Sequence, residues 1–122
     1  MTRIRETAGI AVVILGLTWP AAADQGVLAY SPSTDEVASS SSSFYSLREL
    51  QIETLENCIA DDCRVLMVFR PGECAAVASS DKRYGAARGK SQAEAESFAM
   101  DDCSNGGEDP NCRVVGQHCA KE

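Results

Sequence analysis

The chain has 122 residues, with 11 basic and 18 acidic side chains, one histidine, six cysteines and a net charge of −7. Such an acid surplus repels phosphate backbones and anionic lipid, which speaks against nucleic-acid binding. A chain this short has room for one domain with a modest core.

The first 23 residues read as a signal peptide. Arg3 and Arg5 give a positive start, Gly9 to Trp19 is an apolar run, and Ala21-Ala22-Ala23 follows Pro20 with small side chains for cleavage. The apolar run of 11 residues is too short to span a bilayer, which takes about 20. Removal of residues 1–23 takes away Arg3, Arg5 and Glu6 and leaves residues 24–122 with 9 basic and 17 acidic residues, a net charge of −8. The expected product is a single exported domain, periplasmic or secreted, with no membrane insertion after cleavage.

Along residues 24–122 the features come twice. "GVLAYSPSTDEV" (26–37) is an apolar strand running into a polar turn, and "CAAVASSDKRYG" (74–85) repeats that order. The serine run at residues 39–43 occupies the place of "AARGK" (86–90) and reads as a polar edge strand leading to Phe44 and Tyr45. "SLRELQIETLENC" (46–58) matches "SQAEAESFAMDDC" (91–103). Each opens with a serine that can cap a helix, and Glu49 or Glu94 sits where it can reach back, as in a capping box. Leu47, Leu50, Leu55, Cys58 and Ile59 form the expected inner arc of the first helix, and Ala95, Phe98, Ala99 and Cys103 that of the second.

"DCRVLMVF" (62–69) then matches "NCRVVGQH" (111–118), and the β-branched run Val65 to Phe69 reads as a central strand. The offset between the halves is 45 residues through the helices and 49 after them. The expected fold is therefore α+β: a duplicated strand-strand-helix-strand unit (26–73 and 74–119) with a mainly antiparallel sheet, two helices and three disulfides.

An even number of cysteines in a small exported chain points to disulfides. Zinc is the competing reading, but the gaps are four, ten, 28, eight and six residues, and His118 is the only histidine. Six cysteines permit about 15 pairings. Equivalent positions in the two units favour Cys58–Cys63 and Cys103–Cys112, each fastening a helix end to the next strand, which leaves Cys74 with Cys119. In the loop-entropy account the longest closure contributes on the order of 4 kcal/mol and the shortest about 2.

"GVLAYSPST", "DCRVLMVF", "CAAVA", "YGAARGKSQAEAE" and the closing "CRVV…C" together resemble domain-of-unknown-function family 4189, small exported bacterial domains. The likeness covers residues 26–119, and it departs at "DEVASSSSSF", where glycine and aromatic residues are expected. It implies a periplasmic or secreted location and the repeated fold, and supplies no activity.

Catalytic signatures are thin. His118 is the sole candidate base, and Asp61-Asp62 and Asp101-Asp102 lack the spacing of a calcium loop. No nucleophile elbow, phosphate loop or metalloprotease motif occurs. We expect a non-enzyme with no cofactor and no metal, a monomeric binding module of inhibitor or immunity type that takes a basic rather than an acidic protein partner. The candidate surface is the loop Arg70-Pro71-Gly72-Glu73 and the loop 104–111 with Glu108 and Asp109. The alternatives are an envelope-associated structural protein that pairs through a sheet edge, or a small hydrolase using His118. Peptide mapping of the unreduced protein should recover the three bridges named above; a peptide joining Cys58 to Cys103 would overturn the scheme.

Overall fold

A computed structural model describes residues 24–122, so the signal-peptide reading of residues 1–23 lies outside the described residues. The elements in chain order are β1 (Gln25–Tyr30), β2 (Val37–Ser42), α1 (Leu47–Glu56), β3 (Arg64–Phe69), β4 (Cys74–Ser79), β5 (Tyr84–Gly89), α2 (Gln92–Ser104) and β6 (Arg113–Cys119). The fold is α+β as the sequence implies, but the strands form two sheets. Their orders are β2-β1-β3 and β5-β4-β6, with every pairing antiparallel.

The two sheets share one apolar layer. Leu28 and Tyr30 of β1, Phe69 of β3, and Ala75 and Val77 of β4 pack together, joined by Val37, Tyr84, Ala86 and Val115. Alternation along each strand sends the intervening residues to the opposite face. Ala29 and Ala38 therefore lie with Cys58 and Cys63 on the α1 side. Cys74, Ala76 and Ala78 meet Ala95, Ala99 and Cys103 on the α2 side. The molecule is a stack of helix, sheet, sheet and helix.

This stacking corrects one sequence expectation. The strongest apolar run, Val65 to Phe69, was expected at the centre, yet β3 is an edge strand and only Phe69 in it is fully buried. The central strands are β1 and β4, covered on both faces. A strand held between a helix and a second sheet needs small side chains on at least one face, which "GVLAY" and "CAAVAS" supply. Bulky residues suit an edge, where one flank stays open.

The halves correspond closely. Ala29 pairs with Val65 as Ala78 pairs with Val114, and Tyr30 with Arg64 as Ser79 with Arg113, a constant shift of 49. Both ladders break at the equivalent point, between Leu28 and Ala29 and between Val77 and Ala78. The additional residues, Leu66 and Val115, both pack on the shared core. A bulge adds local twist, and here it lets each edge strand wrap over the opposite sheet.

The helices are capped alike and docked differently. Ser46 accepts from the Glu49 N–H at 3.2 Å, and Glu49 accepts from the Ser46 N–H at 3.0 Å, completing the box. Ser91 accepts from the Glu94 N–H, but the Glu94 carboxylate reaches one residue further back, to the Lys90 N–H at 2.8 Å. α2 lies against backbone: a Cβ on Gly85 would stand 2.3 Å from the Cys103 nitrogen, and one on Gly89 2.9 Å from that of Ala95. In the first half Ala38 takes the place of Gly85. α1 is held there by Leu50 and by Thr54, whose buried hydroxyl donates to Leu50 O at 2.7 Å and meets Ser40 Oγ.

Three residues expected on inner helix faces point outward. Leu55 is 38 %, Ile59 89 % and Phe98 48 % exposed. For Phe98 the cause is the close seat of α2, where Ala95, Ala99 and Cys103 leave no room for a ring. The Cys58–Cys63, Cys103–Cys112 and Cys74–Cys119 bridges are all present, and no described cysteine is free. No helix among the described residues is long and apolar enough to cross a membrane. Gly85→Ala should push α2 from β5 and cost about 3 kcal/mol, read as a lower urea midpoint, whereas Gly106→Ala, in open space, should cost only its positive-φ penalty, about 1 kcal/mol.

Candidate functional site

β4 separates the two loops singled out by sequence. Arg70–Glu73 precedes it and joins the C-terminal end: Gly72 N–H donates to Ala120 O at 3.0 Å, and Ala120 N–H to Glu73 O at 2.9 Å. Glu73 turns its carboxylate back onto the Arg70 N–H at 2.8 Å. Arg70, Pro71, Gly72 and Glu73 line an open groove of 500 Å³ with Lys90 and Glu122. Glu108 and Asp109 lie beyond the other end of β4, beside Ser80, in a groove of 200 Å³ that includes Lys82 and Arg83. The structure does not bring the two loops together.

Several acids have structural partners. Asp62 accepts from the hydroxyls of Ser31 (2.5 Å) and Ser33 (2.9 Å) and from the Ser33 N–H. In the second half Asp109 accepts from Ser80 Oγ at 2.6 Å and from the Asn111 N–H. Each pair ties the turn after a central strand to the loop before an edge strand. Hydrogen bonds to the charged form, chiefly from Ser31 and Ser80, hold both carboxyls below the usual aspartate range. Asp102 accepts from the Ala86 N–H at 3.1 Å. Asp62, Asp102 and Asp109 thus serve as structural acceptors.

Glu36 approaches the sulfurs of Cys58 and Cys63 closely enough to look like a metal cluster. The sulfurs are bonded to each other, and the carboxylate accepts from the Ile59 and Ala60 N–H groups at 2.8 and 3.0 Å. The geometry is that of an anion cradled by the bridged loop.

His118 is positioned by the meeting of the halves. Its Nε2 lies 3.0 Å from Ser41 Oγ on β2, and its ring meets the edge of Phe69 at 6.0 Å. Phe69 and His118 are equivalent residues under the shift of 49. Burial pushes the imidazole pKa down, partly offset by the Asp24 charge, so the ring is neutral at pH 7. A serine and a neutral imidazole in contact are the minimum of a nucleophile–base pair. Here both sit one residue before the ends of their strands and close the seam between the sheets.

The largest departure from sequence expectation is the outer side of α1. Phe44, Tyr45, Ile52, Leu55 and Ile59 are five of the six exposed large hydrophobic residues among those described. Ile52 and Leu55 lie opposite Leu50 and Thr54, and Ile59 continues the stripe past the helix end. Glu49, Glu53 and Glu56 follow one flank at the same spacing. The corresponding side of α2 presents Ala93, Ser97 and Asp101. The signal was present in "LRELQIETLENCI": apolar residues fall on both sides of the helical wheel, and one helix in an outer layer can bury only one of them.

The profile of one protein family, described as "Domain of unknown function (DUF4189)", matches residues 25–119. No curated protein and no solved structure gives a significant match.

Acid should weaken the fold in two stages. His118 has a lowered folded-state pKa, so its contribution is complete above about pH 6.5 and is lost as the pH falls toward the folded value. The Asp62 and Asp109 locks are complete above about pH 4 and are lost below it. Thermal melts across pH should show both declines, with His118→Gln removing the first and the Ser31→Ala/Ser80→Ala pair shrinking the second.

Proposed function

The chain belongs to the DUF4189 family, and we propose that it is a protein-binding module whose docking face is the outer side of α1. The observation that carries this is five exposed large apolar residues in and beside α1: Ile52 and Leu55 on its outer side, Phe44 and Tyr45 just before it and Ile59 just after it. Exposed large apolar residues gathered in one region of a small domain mark an interaction surface. Glu49, Glu53 and Glu56 beside the patch select the partner: an element with an apolar centre and lysine or arginine along one side. A second copy would set acid against acid, and an anionic lipid surface would be repelled.

Inhibition or immunity by steric cover suits such a rigid module. Three disulfides favour an oxidising compartment, the periplasm or the exterior. The opposed helix is the natural control, because it has the same position in the second half without the apolar stripe.

A photoactivatable benzoylphenylalanine in place of Ile52 should give one adduct with a basic protein in the producing cell, and the same residue in place of Ser97 none. Ile59→Asp should lower the adduct yield about tenfold while leaving stability within about 0.5 kcal/mol. An adduct of twice the chain's own mass would favour the self-pairing alternative. The absence of any adduct would remove the docking reading.

A further inference from the structure

The turn between β4 and β5 differs from its counterpart between β1 and β2 in what its side chains do. In the first turn almost every polar group is engaged: Ser31 and Ser33 with Asp62, Asp35 with the Tyr30 hydroxyl, and Glu36 with the Ile59 and Ala60 N–H groups. In the second, Ser80 alone anchors the turn, receiving the Lys82 and Arg83 N–H groups and donating to Asp109. The side chains of Asp81, Lys82 and Arg83 form none of the hydrogen bonds that hold the turn and are exposed.

These side chains rim an open cavity of 360 Å³, whose other walls are Tyr30, Pro32, Ser80 and Tyr84. That volume is at the small end of ligand pockets. Two aromatic rings, one from each half, form its apolar side, with Tyr30 and Tyr84 centroids 4.8 Å apart. Tyr30 is fixed by its hydrogen bond to Asp35, and its hydroxyl is pushed up to about 12, mainly by burial, so it stays neutral. Tyr84 is backed by Arg64, which donates to its hydroxyl and lies 5.8 Å from its ring centroid. Ser79, 1 % exposed, lies beside Tyr30.

We propose that this cavity is a binding site for a small ligand carrying a carboxylate or phosphate on a planar ring. Lys82 and Arg83 face the anion, Arg with the forked donors that suit an oxyanion, and the ring lies against Tyr84 and Pro32. Lys82 and Arg83 stand at this rim beside one carboxylate, Asp81, and also border the groove of Glu108 and Asp109, while Arg64 donates to the Tyr84 hydroxyl. The site is independent of the α1 docking face, so either can fail alone.

The test is an amide-correlation NMR titration of the oxidised protein at low ionic strength. Phenyl phosphate and phenylacetate serve as ring-bearing anions, with inorganic phosphate and phenol as the half-ligands. Saturable shifts at Lys82, Arg83 and Tyr84 with either ring-bearing anion support the site, and the tighter of the two identifies the anion. Each half-ligand should bind about tenfold more weakly or worse. Lys82→Gln/Arg83→Gln should lose about tenfold with the remaining spectrum unchanged, while Asp81→Asn should tighten binding. The proposal fails if neither ring-bearing anion saturates at these amides, if phenol binds as well as phenyl phosphate, or if the charge variants change nothing.

Discussion

Everything in this molecule depends on burying two short strands on both faces. β1 and β4 are each flanked by two hydrogen-bonded neighbours, covered by a helix on one side and by the opposite sheet on the other. A domain of 99 described residues that forms four layers has little depth in each, so the layers must be thin. Alanine and glycine at the contacts supply thinness, and the larger residues Leu28, Tyr30 and Phe69 fill the one place with room, between the sheets. Disulfides then supplement a core that small side chains alone would leave marginal.

The same constraint separates the roles of the two helices. α2 approaches its sheet so closely that Gly85 and Gly89 have no space for a side chain, and Phe98 is the single large apolar residue exposed on it. α1 packs through Leu50 and Thr54 and, among the described residues, leaves Ile52 and Leu55 exposed on its other side. Equivalent scaffolding thus supports one half fitted tightly to itself and one half with surface to spare. The turns divide in the same way, in the opposite sense: the first is consumed by internal hydrogen bonds, and the second leaves Asp81, Lys82 and Arg83 exposed.

Much of the scaffold was legible because it is written in local chemistry. Ser46 and Ser91 mark helix starts by a rule that involves three residues, and the cysteine pairing follows from equivalence between units. The misplacement of β3 has a different origin. Apolar strength along a strand reports how much a residue gains from burial, whereas centrality depends on how thin the strand is, and "CAAVAS" looks weak by the first measure. The outward turn of Leu55, Ile59 and Phe98 could not be read from a helical wheel alone, since a wheel with two apolar sides does not say which one faces the sheet. Contacts between halves, such as Ser41 with His118 and Tyr30 with Tyr84, were invisible because 54 to 77 residues separate their partners.

All three bridges lie within one half or the other, and none crosses between them. During synthesis the first two cysteines to emerge are native partners and can be oxidised at once. The third, Cys74, has its partner at the far end of the second half, and the thiol that follows it, Cys103, is the wrong one. Strictly sequential oxidation would therefore give a correct first half and a scrambled second. The order of thiol exposure makes the second half the step that needs disulfide exchange, while the first half can serve as the template on which it closes.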